Sequence, residues 1–219
     1  MGFTDLSSMA TVAPGWEAID RALKRLYPET APLHLAPPVP SILGGNDPLD
    51  GISAYQRREP VAHWHYVTYG FSELYEKERQ DPDWSGFGFE LTFRLLDHGG
   101  NQTTPRWPFR FLQSLARHIV GGDHGVAPGH TMSLNGPITT DGLTQIEAIA
   151  YVLDPELGSI DTPHGRLQFL QVVGLHQIER RAIVEAGGAD RFLAVARDYL
   201  PLFVTDLDRA AILPVGTLE

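Results

Sequence analysis

Between Phe87 and Leu96 the chain alternates with a period of two. Phe87, Phe89, Leu91, Phe93 and Leu95 interleave with Gly88, Glu90, Thr92, Arg94 and Leu96. Successive side chains of a strand point to opposite faces, so this segment reads as a strand with one deeply apolar face. A row of three phenylalanines cannot be left in water, so the chain must cover at least one face of a sheet. Asp97-His98-Gly99-Gly100-Asn101 ends the strand with turn residues.

The flanking segments supply both more sheet and its covering. Leu33–Leu35, Ile52–Arg57, Trp64–Tyr69, His130–Leu134, Gln145–Leu153 and Leu167–Val173 read as further strands, and Leu202–Thr205 as a last one. Trp16, Ile19, Leu23, Leu26 and Tyr27 recur at helical spacing between Pro14 and Pro28. Pro108 opens a second helix with a stripe of Phe111, Leu112, Leu115, Ile119 and Val120, stopped by Gly121-Gly122. Gly174 marks a switch to helical period up to Gly187-Gly188, and Arg191–Leu200 is a fourth helix ended by Pro201. Glu76–Ser85 reads as a charged loop. About seven strands and four helices, interleaved without a regular βαβ repeat, predict an α+β fold. Its sheet is mixed, mostly antiparallel, and covered by the helices. No composition shift marks a linker, so one domain is expected over 14–213, with a loose leader at 1–13 and a tail at 214–219.

Charge and composition narrow the function. The 219 residues carry 17 basic and 27 acidic side chains, a net charge of −10, and the densest basic spots are the pairs Arg57-Arg58 and Arg180-Arg181. Nucleic-acid binding draws on a basic stripe that displaces counterions, so nucleic acid is a poor partner and a basic protein a plausible one. With no cysteine, thiolate zinc sites, disulfides and cysteine nucleophiles are excluded. No apolar run reaches the roughly 20 residues of a membrane helix, and the first ten residues lack a signal-peptide pattern, so a cytoplasmic address is expected.

Several motifs invite chemistry. His63 and His65 share a strand face and would bind a metal, as in a metal-dependent hydrolase, if Asp50 or His130 approached as third ligand. The competing reading is that both imidazoles hydrogen-bond backbone beside Trp64. Asp161-Thr162-Pro163-His164 offers a carboxylate near an imidazole, but it brackets a proline turn and no nucleophile elbow accompanies it. Gly86-Phe87-Gly88 leads into a strand instead of opening a helix, unlike a phosphate loop. Asn46, Asp47 and Asp50 lack the spacing of a calcium loop and read as turn formers with Pro48. Glu90 is either a buried carboxylate paired with Arg94 on its face or a surface residue. The aromatics Trp64, Tyr66, Tyr69, Phe71, Tyr75 and Trp84 fit a sheet core, with Trp84, in the charged loop, as the exposed anchor for a partner.

Six segments, in order, resemble the amino-terminal domain of the Suppressor of Fused family. They are Leu43-Gly44-Gly45-Asn46-Asp47-Pro48-Leu49-Asp50; His63-Trp64-His65-Tyr66 running to Gly70; Ser85-Gly86-Phe87-Gly88-Phe89-Glu90-Leu91-Thr92-Phe93-Arg94-Leu95; Trp107-Pro108 with Leu115-Ala116-Arg117; Phe169-Leu170-Gln171-Val172-Val173-Gly174; and Thr205-Asp206. The resemblance spans about Pro14 to Leu213 and implies a domain acting by protein–protein contact, with no catalytic residue, cofactor or metal. In animals the family restrains Gli-type transcription factors by gripping a peptide between two domains; bacterial members are proposed as immunity proteins against toxins. Here the resemblance stops where the second domain would begin. His118 stands where the animal pattern has tyrosine, and Pro128-Gly129-His130 where its peptide-binding loop has Gly-Asp-His. Gli-type binding is therefore not implied. The expected partner is another protein, such as a basic toxin domain, met through Trp84, His118 and His130. Asp47, Asp50, His63, Trp64, His65, Glu90 and Arg94 are expected to hold the structural motifs.

Overall fold

A computed structural model describes residues 13–39, 43–99, 103–122 and 125–212. The expected leader, except Ala13, and the expected tail lie outside the described residues.

The elements run, in chain order, α1 (Pro14–Leu26), β1 (Leu33–Leu35), β2 (Gly51–Arg57), β3 (His63–Tyr69), β4 (Trp84–Leu96), α2 (Trp107–Gly121), β5 (Thr131–Ser133), β6 (Ile146–Leu153), β7 (Ser159–Thr162), β8 (Gly165–His176), α3 (Gln177–Glu185) and α4 (Asp190–Tyr199). One eight-stranded sheet has the order β1-β2-β3-β4-β8-β6-β5, with β7 paired to the first part of β8 beside β6. The β4–β8 ladder is parallel and the other strand ladders are antiparallel, so the fold is α+β with a mixed, mostly antiparallel sheet, as the interleaving predicts.

Helices cover both faces. On one, α2 sets Leu112, Leu115, Ala116 and Ile119 against Trp64, Tyr66, Phe89, Leu91, Phe93, Tyr151 and Val172. On the other, α1 packs Ile19, Ala22 and Leu23 on Tyr55, Val67, Tyr69, Leu167 and Phe169. Further along that face Ile183 of α3 and Phe192 and Ala196 of α4 cover Ala148, Ala150, Val173 and Leu175. Burying each of the leucines, isoleucines, valines and phenylalanines among them contributes about 1.5–3 kcal/mol relative to exposing it. From Phe89 to Leu95 both sets of alternating positions in β4 are therefore buried, Glu90, Thr92 and Arg94 included.

The structure departs from the sequence reading at points with identifiable causes. β4 starts at Trp84, two residues inside the expected loop. Its pairing with β8 shifts between Trp84 and Phe89, where Gly86 and Gly88 hold φ of 58° and 83°. This irregularity turns Phe87 out of the aromatic row, and it is 41% exposed. β8 continues through Gly174 to His176, so that glycine does not start a helix. β7 forms a tight hairpin with β8 across Pro163-His164, a strand too short for its period to register in the sequence. In α2, Phe109 and Ala116 are buried while Val120 is exposed. The expected strand at Leu202–Thr205 is a 3-10 turn, Pro201–Phe203, followed by one parallel bridge from Thr205 to Leu95.

That bridge explains Gly174. A Cβ there would lie 2.7 Å from both Ile146 Cγ2 and Thr205 Cγ2, and the Gly174 N–H donates to Thr205 Oγ1 at 3.0 Å. We expect Gly174→Ala to lose about 1–3 kcal/mol in urea unfolding, the usual cost of overpacking a close approach. Unchanged stability would show that the crossing segment yields freely.

Candidate functional site

Between the two helical groups on the second face, the sheet carries a buried polar cluster. Arg94 of β4 forms a two-pronged ion pair with Asp154, which follows β6: Nη1 to Oδ2 is 2.7 Å and Nη2 to Oδ1 is 3.1 Å. Both side chains are fully buried. Arg94 Nη2 also donates to Glu156 Oε2 at 3.0 Å, and Nη1 to Gln171 Oε1. Thr92 Oγ1 donates to Asp154 Oδ2 at 2.8 Å, and the Glu156 and Leu157 N–H groups to Asp154 Oδ1, each at 2.9 Å. Arg57 closes the rim on Glu156 at 2.6 Å. Burial alone would raise the Asp154 carboxyl, but the Arg94 guanidinium paired with it more than reverses this and holds it below the usual carboxylate range.

The two strand histidines belong to this cluster. His63 Nδ1 is 2.7 Å from the Val61 carbonyl, which can only accept, so Nδ1 carries the proton. His65 Nδ1 is 2.8 Å from the Tyr27 hydroxyl, and its Nε2 stands 3.3 Å from Asp154 Oδ2 without hydrogen-bond geometry. Burial first, and Arg94 beside them, lower His63 to about 4 and His65 to about 3, so both are neutral at physiological pH. The register keeps the expected third ligands away. Asp50 lies beyond the Gly51–Tyr69 end of the β2–β3 ladder, four residue pairs from Tyr55–His65. His130 lies outside β6, whose Tyr151 N–H donates to its carbonyl at 2.9 Å. The hydrolase arrangement of His63 and His65 with either residue is therefore not assembled. Asp161 meets Arg166 at an exposed 3.6 Å across the β7–β8 hairpin, as a turn residue.

Glu90 is buried but not paired with Arg94. It accepts hydrogen bonds from Ser72 Oγ at 2.6 Å, Thr68 Oγ1 at 2.7 Å, and the Ser72 and Gly70 N–H groups at 2.9 and 3.0 Å. Arg94 is drawn to Asp154 instead. Burial lifts Glu90 to about 7 against those hydrogen bonds. Asp47 takes Arg117 of α2 at 2.6 Å, which ties the Asn46-Asp47-Pro48 turn to that helix; Asp50 and Trp64 are buried beside β2 and β3.

The expected partner-binding residues are dispersed. Trp84 is half-buried at the start of β4 against Gly88. His118 is exposed in the last turn of α2, and His130 is exposed just before β5. Phe93, which shares the Val172–Tyr151 level beside His130, lies nine positions along β4 from Trp84. Sequence reasoning missed the outer side of β5. In the β5–β6 pairing His130 and Leu134 bond inward to Tyr151 and Glu147, so Thr131 and Ser133 turn their N–H and C=O groups away from β6. β5 ends the sheet, and no described strand covers that side. A three-residue strand carries almost no periodic signal.

Two measurements test the cluster. Removing one member of the Arg94–Asp154 pair leaves a buried charge, so Arg94→Met and Asp154→Asn should each cost about 3–5 kcal/mol. The double variant should cost much less than their sum in a urea double-mutant cycle; additivity would contradict direct coupling. The pH response has two opposed parts. His63 and His65, lowered in the fold, stabilise it above about pH 6.5 and lose that contribution as pH falls toward 4 and 3. Glu90, raised in the fold, stabilises it below about pH 4.5 and loses that contribution as pH rises through about 7. His63→Gln should therefore flatten the acid-side fall in stability, and Glu90→Gln should steepen it; equal profiles for all three proteins would refute the assignments.

Comparison with known proteins places this geometry. Residues 45–210 match the family model for Suppressor of fused protein (SUFU). The human Suppressor of fused homolog is 37% identical over 174 residues, covering 74% of this chain. The match takes in 35% of the human protein, so the chain spans about a third of its curated relative. A crystal structure of the Sufu–Fu complex superposes with a TM-score of 0.77 at 29% identity, covering 90% of this chain and 91% of that one. A SUFU homolog from Neisseria gonorrhoeae shares the fold, with a TM-score of 0.59 at 13% identity over 92% of this chain and 98% of that one. The buried arginine and histidines, the Asp47 turn and the Gly174 crossing all fall within the matched residues. The chain belongs to the Suppressor of fused family.

Proposed function

We propose that this domain works by binding another protein and not by catalysis, with the outer edge of β5 as its principal contact. The observation that carries the reading is the pair of outward-facing residues Thr131 and Ser133 on a terminal strand. They offer two backbone donors and two acceptors to an extended segment of a partner, the mode of strand addition. His130 flanks that edge and His118 presents an imidazole from α2, while Trp84 serves a separate contact at the far end of β4. The relative seen in the Sufu–Fu complex is itself a protein-binding one, which supports the same class of activity here.

The net charge of −10 favours a basic partner, whose encounter it would speed, and disfavours nucleic acid. Pro128-Gly129-His130 supplies no carboxylate at the β5 approach, so a Gli-type factor is not the partner proposed. An immunity role in the cytoplasm, with the domain holding a basic toxin domain inactive, fits the charge and the family. Among the described residues no helix is long and apolar enough to cross a membrane.

The test is affinity capture from the native host at near-physiological salt, followed by mass spectrometry, with the wild type and Thr131→Pro in parallel. Proline removes one outward donor and leaves the Met132 pairing with β6 in place. We expect one stoichiometric basic protein, recovered at least tenfold less with the variant, and cells producing the domain to survive expression of that protein if it is a toxin. Absence of any stoichiometric partner would contradict the binding reading, and equal recovery with Thr131→Pro would move the contact away from β5.

A further inference from the structure

Outside the polar cluster and the β5 edge, one group of side chains among the described residues has the composition and spacing of a metal site. His98 follows β4, and Asp206 and Asp208 follow the Thr205 bridge, more than a hundred residues later in the chain. His98 Nε2 lies 3.5 Å from Asp206 Oδ1 and 3.6 Å from Asp208 Oδ2, and the three ligand atoms lie within 4.8 Å of one another. A tetrahedral ion with bonds of about 2.0–2.2 Å needs ligand atoms about 3.3–3.6 Å apart. The two measured separations fall at that spacing without any movement of the backbone.

Both segments are held in place before any ion arrives. The Leu96 N–H donates to the Thr205 carbonyl at 2.9 Å, and the Thr205 N–H to the Arg94 carbonyl at 2.8 Å. Asp97 is fixed by its N–H on the Ala62 carbonyl at 2.9 Å and by Gln56 Nε2 on its carboxylate at 2.9 Å. The Asp208 N–H donates to Asp206 Oδ1 at 3.0 Å and orients that carboxylate, as outer hydrogen bonds do at metal centres. The His98 and Asp208 side chains are exposed, so an ion reaches them from solvent and keeps an open position for water.

We propose that His98, Asp206 and Asp208 form a surface site for a divalent transition metal, with zinc as the fitting ion. One nitrogen and two carboxylate oxygens suit zinc, whereas magnesium and calcium prefer all-oxygen shells. The ion clips the end of β4 to the segment that crosses the sheet at Thr205.

The experiment is calorimetric titration of untagged protein with zinc chloride at neutral pH, with magnesium chloride as the control ion. Wild type, His98→Ala and Asp208→Asn are compared. Both positions are exposed, so the variants retain the fold, and their metal-free melting curves check this. We expect one equivalent of zinc to bind the wild type, at least tenfold weaker binding in each variant, and no saturable uptake of magnesium. Zinc should also raise the melting midpoint of the wild type and not of Asp208→Asn. An ion-paired imidazolium alone would give no saturable zinc uptake, and that result overturns the proposal. Stoichiometric binding that persists unchanged in both variants overturns it equally, by placing zinc on other histidines.

Discussion

Arg94 and Asp154 meet in the middle of a sheet covered on both faces, and most of what surrounds them exists to make that contact tolerable. Burying two charges costs several kcal/mol each unless every donor and acceptor finds a partner. Thr92, Gln171, Glu156 and two backbone amides supply all of those partners but one, the Arg94 Nε–H, which makes no hydrogen bond. The pair thereby fixes the neighbouring strands β4 and β8 and the turn after β6 relative to one another. It also explains the break in the helical covering of the second face, where α1 stops and α3 and α4 begin. Gln171 carries the same network outward to the Leu202 and Phe203 carbonyls at 2.8 and 2.9 Å.

This arrangement separates rigidity from recognition. The histidines His63 and His65 and the carboxylate Glu90, whose protonation burial displaces, lie inside the covered sheet. In the proposed binding mode, the groups offered to a partner are backbone amides and carbonyls at a sheet margin, with the His130 imidazole beside them. A binding surface of this kind can change its specificity by altering loop residues, because the ionic centre beneath does not depend on them. His118 and Pro128-Gly129-His130 are such changes relative to the animal pattern; Gly129 and His130 meet β6 through backbone bonds to Tyr151, which do not depend on side-chain identity.

Much of the fold was legible in the residues. The β4 alternation, the proline-initiated helices and the glycine stops gave most elements within a few positions, because period and punctuation are local properties. The ion pair was half legible. Arg94 on a covered strand requires a buried anion, but nothing in the sequence says whether Glu90 or Asp154 supplies it. Glu90, nearer in sequence, is occupied by Ser72 and Thr68 of the β3 exit. The true partner follows β6, and only the parallel crossover of β8 brings it in. His63 and His65 read from spacing either as ligands or as imidazoles bonded to backbone; His63 follows the second reading on the Val61 carbonyl, whereas the Tyr27 hydroxyl that meets His65 is distant in sequence and invisible at that level. The β5 edge escaped notice for the opposite reason: its chemistry is backbone, which every residue has.

The Thr205 crossing has a bearing on synthesis. Thr205 bridges to Leu95, Gln171 leans on the Leu202 and Phe203 carbonyls, and Arg209 grips the buried Glu179 at 2.5 Å. These contacts join the middle of the sheet to residues made long after it. A nascent chain that has released β1 through β8 from the ribosome still lacks the strap that closes the end of β4 and satisfies Gln171. The strands can pair early, but Gln171 gains its Leu202 and Phe203 acceptors only after that segment emerges. Until then the half-built domain exposes the patch its own late residues will cover, the kind of exposure that makes folding intermediates prone to aggregate.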